Sequence, residues 1–241
     1  MERIIFLDRD GTLNEEVHYL HRKEDLKLLP GVPQAIRMLR EKGYKIVVVT
    51  NQAGIARGYY QESDVEELHA FMNEMLRQQG AWIDAFFYCP HHPEHGIGKY
   101  KKLCHCRKPD IGMFEMAEQY FPVDKAHSWM IGDKRIDVEA GRNFGLKTVL
   151  VGTGYGREVH QELTGSDGHA ANWQWMDRPP EGISELTGGP KGVCREGTYQ
   201  EGGRFPYDVY AESLIDAAGA ILESEDGSRQ ISGGQRADGE F

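Results

Sequence analysis

The 241 residues suffice for a full hydrophobic core, organised as one main domain or as one domain with an appendage. A formal net charge of −10 argues against a surface for duplex nucleic acid, which must neutralise many phosphates with Lys and Arg. No stretch approaches a membrane span and the N-terminus carries no cleavage or acylation signal, so a cytoplasmic chain is expected, and with no heptad or long exposed apolar edge a monomer acting on a small molecule.

The first predicted strand, Ile4–Leu7, runs into FLDRDGTLNEE. Residues two apart at a strand end project to the same side, so Asp8 and Asp10 can point into one site. Like charges are tolerated there if a divalent cation lies between them, and hard carboxylate oxygens suit Mg²⁺. One carboxylate can then attack phosphorus while the other handles a proton. Gly11 and Thr12 supply the tight turn, although Asp-x-Asp-Gly is also a common surface turn.

A helix over Pro33–Glu41 precedes a strand, Ile46–Thr50, whose end offers the Thr50 hydroxyl and the Asn51 amide to phosphate oxygens. The next helix is predicted over Ser63–Gln79, with Ser63 as N-cap, Glu66 completing a capping box and Gly80 taking the left-handed C-terminal position. The strand Ala85–Cys89 opens CPHHPEHGIGKYKKLCHC, a Cys-x-His pair and a Cys-x-Cys pair. Three thiolates and one imidazole make a closed tetrahedral set, which suits a structural Zn²⁺ held by Cys89, Cys104, Cys106 and His91, with His92, His95 and His105 as alternative imidazoles. The loop it ties, 89–106, delivers Arg107 and Lys108 to the sheet edge, and Lys99, Lys101 and Lys102 form either an extra anion patch or a solvated face.

Further on, a helix over Gly112–Tyr120, a strand over Trp129–Gly132 ending in Asp133, a helix over Ile136–Phe144 and a strand over Thr148–Gly152 complete the alternation. Asp137 reads as orienting Lys134 or capping its helix. The alternation predicts an α/β fold with a doubly wound parallel sheet, whose strand C-termini gather Asp8, Thr50, Cys89 and Asp133 on one edge. The core then spans 1–154, a loop-rich insertion with Trp173 and Trp175 spans 155–206, a closing strand and helix span 207–223, and a disordered tail spans 224–241.

The motifs FLDRDGT, VVVTNQAG, CRKPD and MIGDKRID, in this order, resemble the four signatures of the haloacid dehalogenase superfamily of phosphohydrolases. The stretches DRDGTLNEEVHYLH, TNQAGIARGYY, FFYCPHHPE and HCRKPDIGMF are similar to its heptose-1,7-bisphosphate 7-phosphatase branch, and the histidinol-phosphate phosphatase branch has a shorter loop between the ligand pairs. The resemblance implies a Rossmann-like core without a large cap domain. It implies Asp8 as nucleophile, Asp10 as general acid and base, and Mg²⁺ held by Asp8, Asp133 and the Asp10 backbone carbonyl. Thr50 and Lys108 would neutralise the phosphoryl group, and the substrate would contact Glu16 to Tyr19, Thr50, Asn51, Gln52, Ala53, Arg107, Lys108 and Lys134. His18 stands where this branch often has Gly, and the insertion after the fifth strand exceeds the family's compact form; it is expected to cover part of the substrate. The implied activity is hydrolysis of the 7-phosphate of a heptose 1,7-bisphosphate for nucleotide-activated heptose synthesis. The alternatives are a histidinol-phosphate phosphatase and a catalytically silent phosphosugar-binding protein.

Overall fold

The computed structural model describes residues 1–164 and 207–232. Two compact units divide the chain, Met1–His160 with Pro206–Phe241, and Gln161–Phe205. Most of the predicted insertion, with Trp173, Trp175 and its expected cover over the substrate, lies outside the described residues.

Five strands follow the predicted apolar runs: β1 (Ile4–Leu7), β2 (Lys45–Asn51), β3 (Ala85–Cys89), β4 (Trp129–Gly132) and β5 (Lys147–Val151). A sixth, β6 (Val209–Ala211), comes from the predicted strand entry after the insertion. All pairs are parallel, in the order β3-β2-β1-β4-β5-β6. The helices are α1 (Val32–Glu41), α2 (Ala53–Ala56), α3 (Glu62–Arg77), α4 (Gly112–Glu118), α5 (Arg135–Phe144), α6 (Gly156–Thr164) and α7 (Leu214–Ser232).

The two-residue strand period sorts the core into two faces. Ile5, Leu7, Ile46 and Val48 pack with Ile36 and Leu39 of α1, Leu68 and Met72 of α3 and Ala217 and Ile221 of α7. Ile4, Phe6, Val47 and Val49 pack with Phe114 of α4 and Phe144 of α5 on the other face. Burial on both faces explains why these strands read as unbroken apolar runs.

Three boundaries correct the sequence reading. The capping box of α3 uses Gln61 and Asp64, two residues before the predicted pair: the Gln61 amide donates to Asp64 Oδ2 at 2.7 Å. The three-residue spacing was right and the register was not, because the helix already begins at Glu62, before Ser63. Secondly, the span that reads as loop from residue 155 begins with α6, whose short amphipathic turn is masked by the Gly-rich composition after it. His160 on this helix stacks on Tyr210 at 3.8 Å. Thirdly, α7 continues past residue 223 to Ser232, and Glu225 pairs with Arg3 at 2.7 Å, a partner 222 positions away that no local pattern reveals.

The strand order reverses between β1 and β4, where the loops after the two strands diverge and leave a crevice at their C-terminal ends. Asp8 and Asp133 stand there, one residue beyond β1 and β4 respectively.

Candidate active site

Asp8 is buried, and its backbone amide continues the ladder by donating to Ile131 O at 3.0 Å. Lys108, equally buried, arrives from the loop before α4, and its Nζ donates to Asp8 Oδ1 at 2.9 Å and to Val49 O at 2.7 Å. The same ammonium lies 2.6 Å from Asp137 Oδ1. Burial opposes charge on Lys108, but Asp137 and Asp8 outweigh it and hold the ammonium above its ordinary range. For Asp8 burial acts upward, and the charges of Lys108 and Lys134 pull its carboxyl below the ordinary range. The result is an ionised nucleophile candidate beside a permanent cation.

Asp137 performs two tasks: its Oδ2 accepts the Lys134 amide at 3.0 Å, capping α5, and its Oδ1 meets the Lys108 ammonium. The capping reading holds, while the side chain it pairs with is Lys108 rather than Lys134. Lys134 instead reaches Glu16 Oε2 at 2.9 Å; burial acts against its charge, but Asp8, Asp133, Asp137 and Glu16 push it up.

The two aspartates of the DRD motif do not share their surroundings. The Asp10 carboxylate accepts Arg9 Nε at 3.0 Å and Nη2 at 2.8 Å, Asn14 Nδ2 at 3.0 Å and Gln52 Nε2 at 3.1 Å. Arg9 is fully buried and also bonds Leu20 O, Gln52 Oε1 and His69 Nε2. Burial, then the Arg9 charge, hold the His69 imidazole well below its ordinary range, so it accepts from the guanidinium. The sequence reading placed a cation between the two carboxylates; each carboxylate has its own cationic side chain, Lys108 for Asp8 and Arg9 for Asp10. Arg9, Asn14, Tyr60 and His69 were not anticipated. The one signal available was the Arg between two Asp residues.

Thr50 is buried, and its Oγ1 accepts Gln52 Nε2 at 2.9 Å, which leaves the hydroxyl hydrogen to donate. Gln52 itself is fully engaged, since its Oε1 also accepts Tyr60 Oη at 2.9 Å. Its amide therefore positions Thr50 and Asp10 instead of meeting a ligand. Asn51 is likewise used, donating to Lys108 O at 3.0 Å and accepting Lys108 N at 3.1 Å. Ala53 opens α2, and Arg107 Nη1 donates to His91 O at 3.2 Å. Tyr19 is 41% exposed and packs edge-on against Tyr59 at 4.8 Å, so its ring borders solvent rather than the core. His18 and Tyr19 have φ of +42° and +60°, the left-handed region that favours glycine and so accounts for a Gly preference at this turn.

The fit of a divalent cation can be judged from Asp133, whose side chain is fully buried. Its Oδ2 accepts the Tyr155 amide at 3.0 Å, while no hydrogen-bond donor among the described residues reaches its Oδ1. Burial first, then Asp8 and Asp137, push its carboxyl up to about 8, against the pull of Lys134. Carboxylate oxygens of Asp8, Asp133 and Asp137 lie within 4.8 Å of one another. An unsatisfied oxygen in a crowded acidic cluster is what a hard cation relieves, so the donor set fits Mg²⁺. A Cβ at Gly11 or Gly154, both at positive φ, would collide with the Asp133 carboxylate, so both glycines are required for its position.

Cys89, His91, Cys104 and Cys106 also come together, with ligand atoms within 4.8 Å of one another. The Cys89 and Cys106 sulfurs lie 3.8 and 3.9 Å from His91 Nδ1. The alternative imidazoles are occupied elsewhere: His105 Nε2 meets Glu115 at 2.8 Å, and His92 Nδ1 accepts the amides of Glu94 and His95. Soft sulfur and imidazole donors in a closed set fit Zn²⁺. Of the loop lysines, Lys99 lies 3.6 Å from Glu62, and Lys101 and Lys102 are exposed, in keeping with a solvated face.

The fold and this cluster define a hydrolase of the haloacid dehalogenase type, and the family comparisons agree. A haloacid dehalogenase-like hydrolase family matches residues 5–72 and a HAD-hydrolase-like family matches residues 105–172. A D-glycero-beta-D-manno-heptose-1,7-bisphosphate 7-phosphatase of Haemophilus ducreyi is 46% identical over 155 residues, 64% of this chain and 85% of that protein. Its Escherichia coli K12 counterpart is 41% identical over 171 residues, 70% and 86% of the two chains. The crystal structure of D,D-heptose 1,7-bisphosphate phosphatase from B. bronchiseptica, complexed with magnesium and phosphate, superposes with a TM-score of 0.66 at 28% identity, covering 92% of this chain and 99% of that one. The chain belongs to the heptose-1,7-bisphosphate 7-phosphatase family. Among the described residues no helix is long and apolar enough to cross a membrane.

Proposed function

We propose that the protein removes the 7-phosphate of D-glycero-D-manno-heptose 1,7-bisphosphate through a phosphoaspartate on Asp8. The observation that carries this reading is the buried Asp8–Lys108 pair at 2.9 Å, beside an Asp133 oxygen with no donor. Asp8 is held ionised at the C-terminal edge of the sheet, where the strand order reverses. Lys108 and the free hydroxyl hydrogen of Thr50 stabilise the negative charge spread over the transferring oxygens. Asp10, oriented by Arg9, Asn14 and Gln52, gives a proton to the leaving sugar oxygen and later takes one from the water that hydrolyses the acyl phosphate. Lys134, fixed by Glu16, adds positive charge near Asp8. Asp8, Asp133 and the Asp10 carbonyl would hold Mg²⁺, which would supply charge neutralisation for the phosphoryl oxygens. Zn²⁺ at the four-ligand cluster is structural, tying the loop that carries Arg107 and Lys108.

The relatives' named substrate, together with the motif matches in the site segments, supports heptose bisphosphate over histidinol phosphate. The test is phosphate release from both anomers of heptose 1,7-bisphosphate beside histidinol phosphate, with Mg²⁺ present. A heptose preference of at least about tenfold, equivalent to about 1.4 kcal/mol of transition-state binding, supports the reading. Preference for histidinol phosphate overturns the substrate, and binding without turnover overturns the enzyme.

A further inference from the structure

His69 lies on the buried face of α3, and the reaction as described makes no use of it. Its ring stacks on Phe86 of β3 at 4.5 Å and 16°, and it meets the Tyr88 ring edge-on at 6.1 Å. Held in this way, the imidazole sets its Nε2 3.3 Å from Arg9 Nη1, a partner 60 positions away. A guanidinium has donors only, so Nε2 must accept this bond and the ring proton must sit on Nδ1. Burial and the charge of Arg9 keep the ring neutral, in agreement with that tautomer.

The Arg9 side chain is itself fully buried, and its donors are divided. Nε and Nη2 meet the two Asp10 oxygens at 3.0 and 2.8 Å as a paired fork, and Nη2 also reaches Leu20 O and Gln52 Oε1 at 3.2 Å each. Nη1 lies outside that fork, and His69 is the acceptor set against it. An apolar side chain at position 69 would leave a charged donor in the interior without that acceptor. Because the guanidinium is planar and rigid, holding Nη1 also holds the plane in which the fork meets Asp10. Asn14 Nδ2 at 3.0 Å and Gln52 Nε2 at 3.1 Å grip the same carboxylate, so losing the His69 bond loosens Asp10 without releasing it.

We infer that His69 is a positioning residue that acts through Arg9 to aim the Asp10 carboxylate, first at the leaving sugar oxygen and then at the hydrolytic water. This rests on the acid–base reading of Asp10 and deepens it: the reacting carboxylate is held by an ion pair whose far end is anchored in the core between α3 and β3. His69 acts on the reacting group and not on substrate binding, so its loss lowers kcat and leaves KM little changed.

The experiment compares wild type with three variants. His69→Phe keeps the ring stack and removes the acceptor, His69→Gln keeps an acceptor near the Nε2 position, and Asp10→Asn removes the acid and base. Phosphate release with Mg²⁺ is followed on heptose 1,7-bisphosphate and on fructose 1,6-bisphosphate, a second sugar phosphate whose leaving oxygen also needs a proton. Each variant is assayed below its melting temperature. His69→Phe should lose about 10- to 100-fold in kcat, up to what a displacement of about 1 Å can cost, with KM within about threefold and His69→Gln within about threefold of wild type. A kcat for His69→Phe within about threefold of wild type, or equal losses in His69→Phe and His69→Gln, overturns the positioning role. Wild-type turnover by Asp10→Asn overturns instead the acid–base reading on which that role rests, and the role with it. Nitrogen-15 NMR of the wild-type protein, with His69→Gln to assign the signal, makes the test independent of how His69→Phe folds. At about pH 7 the ring should be neutral with its proton on Nδ1, and a proton on Nε2, alone or on both nitrogens, overturns the bond to Arg9.

Discussion

Replacing Lys108 by Met tests whether the buried ion cluster has the charge distribution described. The ammonium is 1% exposed and stands 2.9 Å from Asp8 and 2.6 Å from Asp137, which are 6% and 0% exposed. Methionine nearly matches its volume, so the change removes charge with little cavity and leaves the carboxylates of Asp8 and Asp137 without their shared cation. Removing one partner of a buried pair costs about 3–5 kcal/mol, and at about 2–4 °C per kcal/mol for a chain of this size the melting temperature should fall by roughly 10 °C. The pH dependence supplies the sign. Lys108 is raised in the fold, so its contribution is complete below its ordinary value of 10.5 and is lost as pH rises through the higher folded value. Asp8 is depressed, so its contribution is present above its ordinary value of 3.8 and is lost as pH falls through the lower folded value. The deficit of the variant should therefore be full between about pH 5 and 10 and shrink in acid, where the carboxylates take up protons. Calorimetric melts with a chelator present measure it, and phosphate release should fall at least about a hundredfold. A melting temperature within about 2 °C of wild type at pH 8 would refute the buried pair.

Other consequences can be checked separately. Gly11→Ala puts a Cβ into the Asp133 carboxylate at φ +82°, so stability should drop by about 1–2 kcal/mol, and Mg²⁺ affinity, read by titration calorimetry, should fall more than tenfold. Because burial lifts Asp133 to about 8, Mg²⁺ competes with a proton there: its affinity should rise nearly tenfold per pH unit up to about 8 and then level off, with one proton released on binding at pH 7. Elemental analysis should find one zinc per chain, and Cys106→Ser should lower that content and the melting temperature. It should also raise KM more than it lowers kcat, since the loop carries Arg107 and Lys108.

The sheet was legible because its strands are short apolar runs punctuated by polar strand-end residues, and both faces are covered. Asp8, Thr50 and Asp133 could be placed at the sheet edge for a related reason: each ends or follows such a run. What the sequence concealed is the division of partners within the site. That Arg9 would be buried against His69, or that Asn51 and Gln52 would spend their amides on Lys108 and Asp10, depends on contacts 42 to 60 residues apart. The choice of His91 over its neighbours has the same origin, since His105 is taken by Glu115 one turn into α4. The end of α7 was misplaced because its anchor is Arg3, at the opposite end of the chain.

The central claim is that Asp8 becomes phosphorylated during turnover. Rapid acid quench of the enzyme mixed with heptose 1,7-bisphosphate and Mg²⁺, followed by peptide mass spectrometry, tests it most directly. The account predicts a peptide spanning Phe6–Glu16 that carries one added phosphoryl group on Asp8, formed before phosphate is released and absent in Asp8→Asn. Full turnover with no phosphorylated peptide at any quench time, or activity retained by Asp8→Asn, would contradict it.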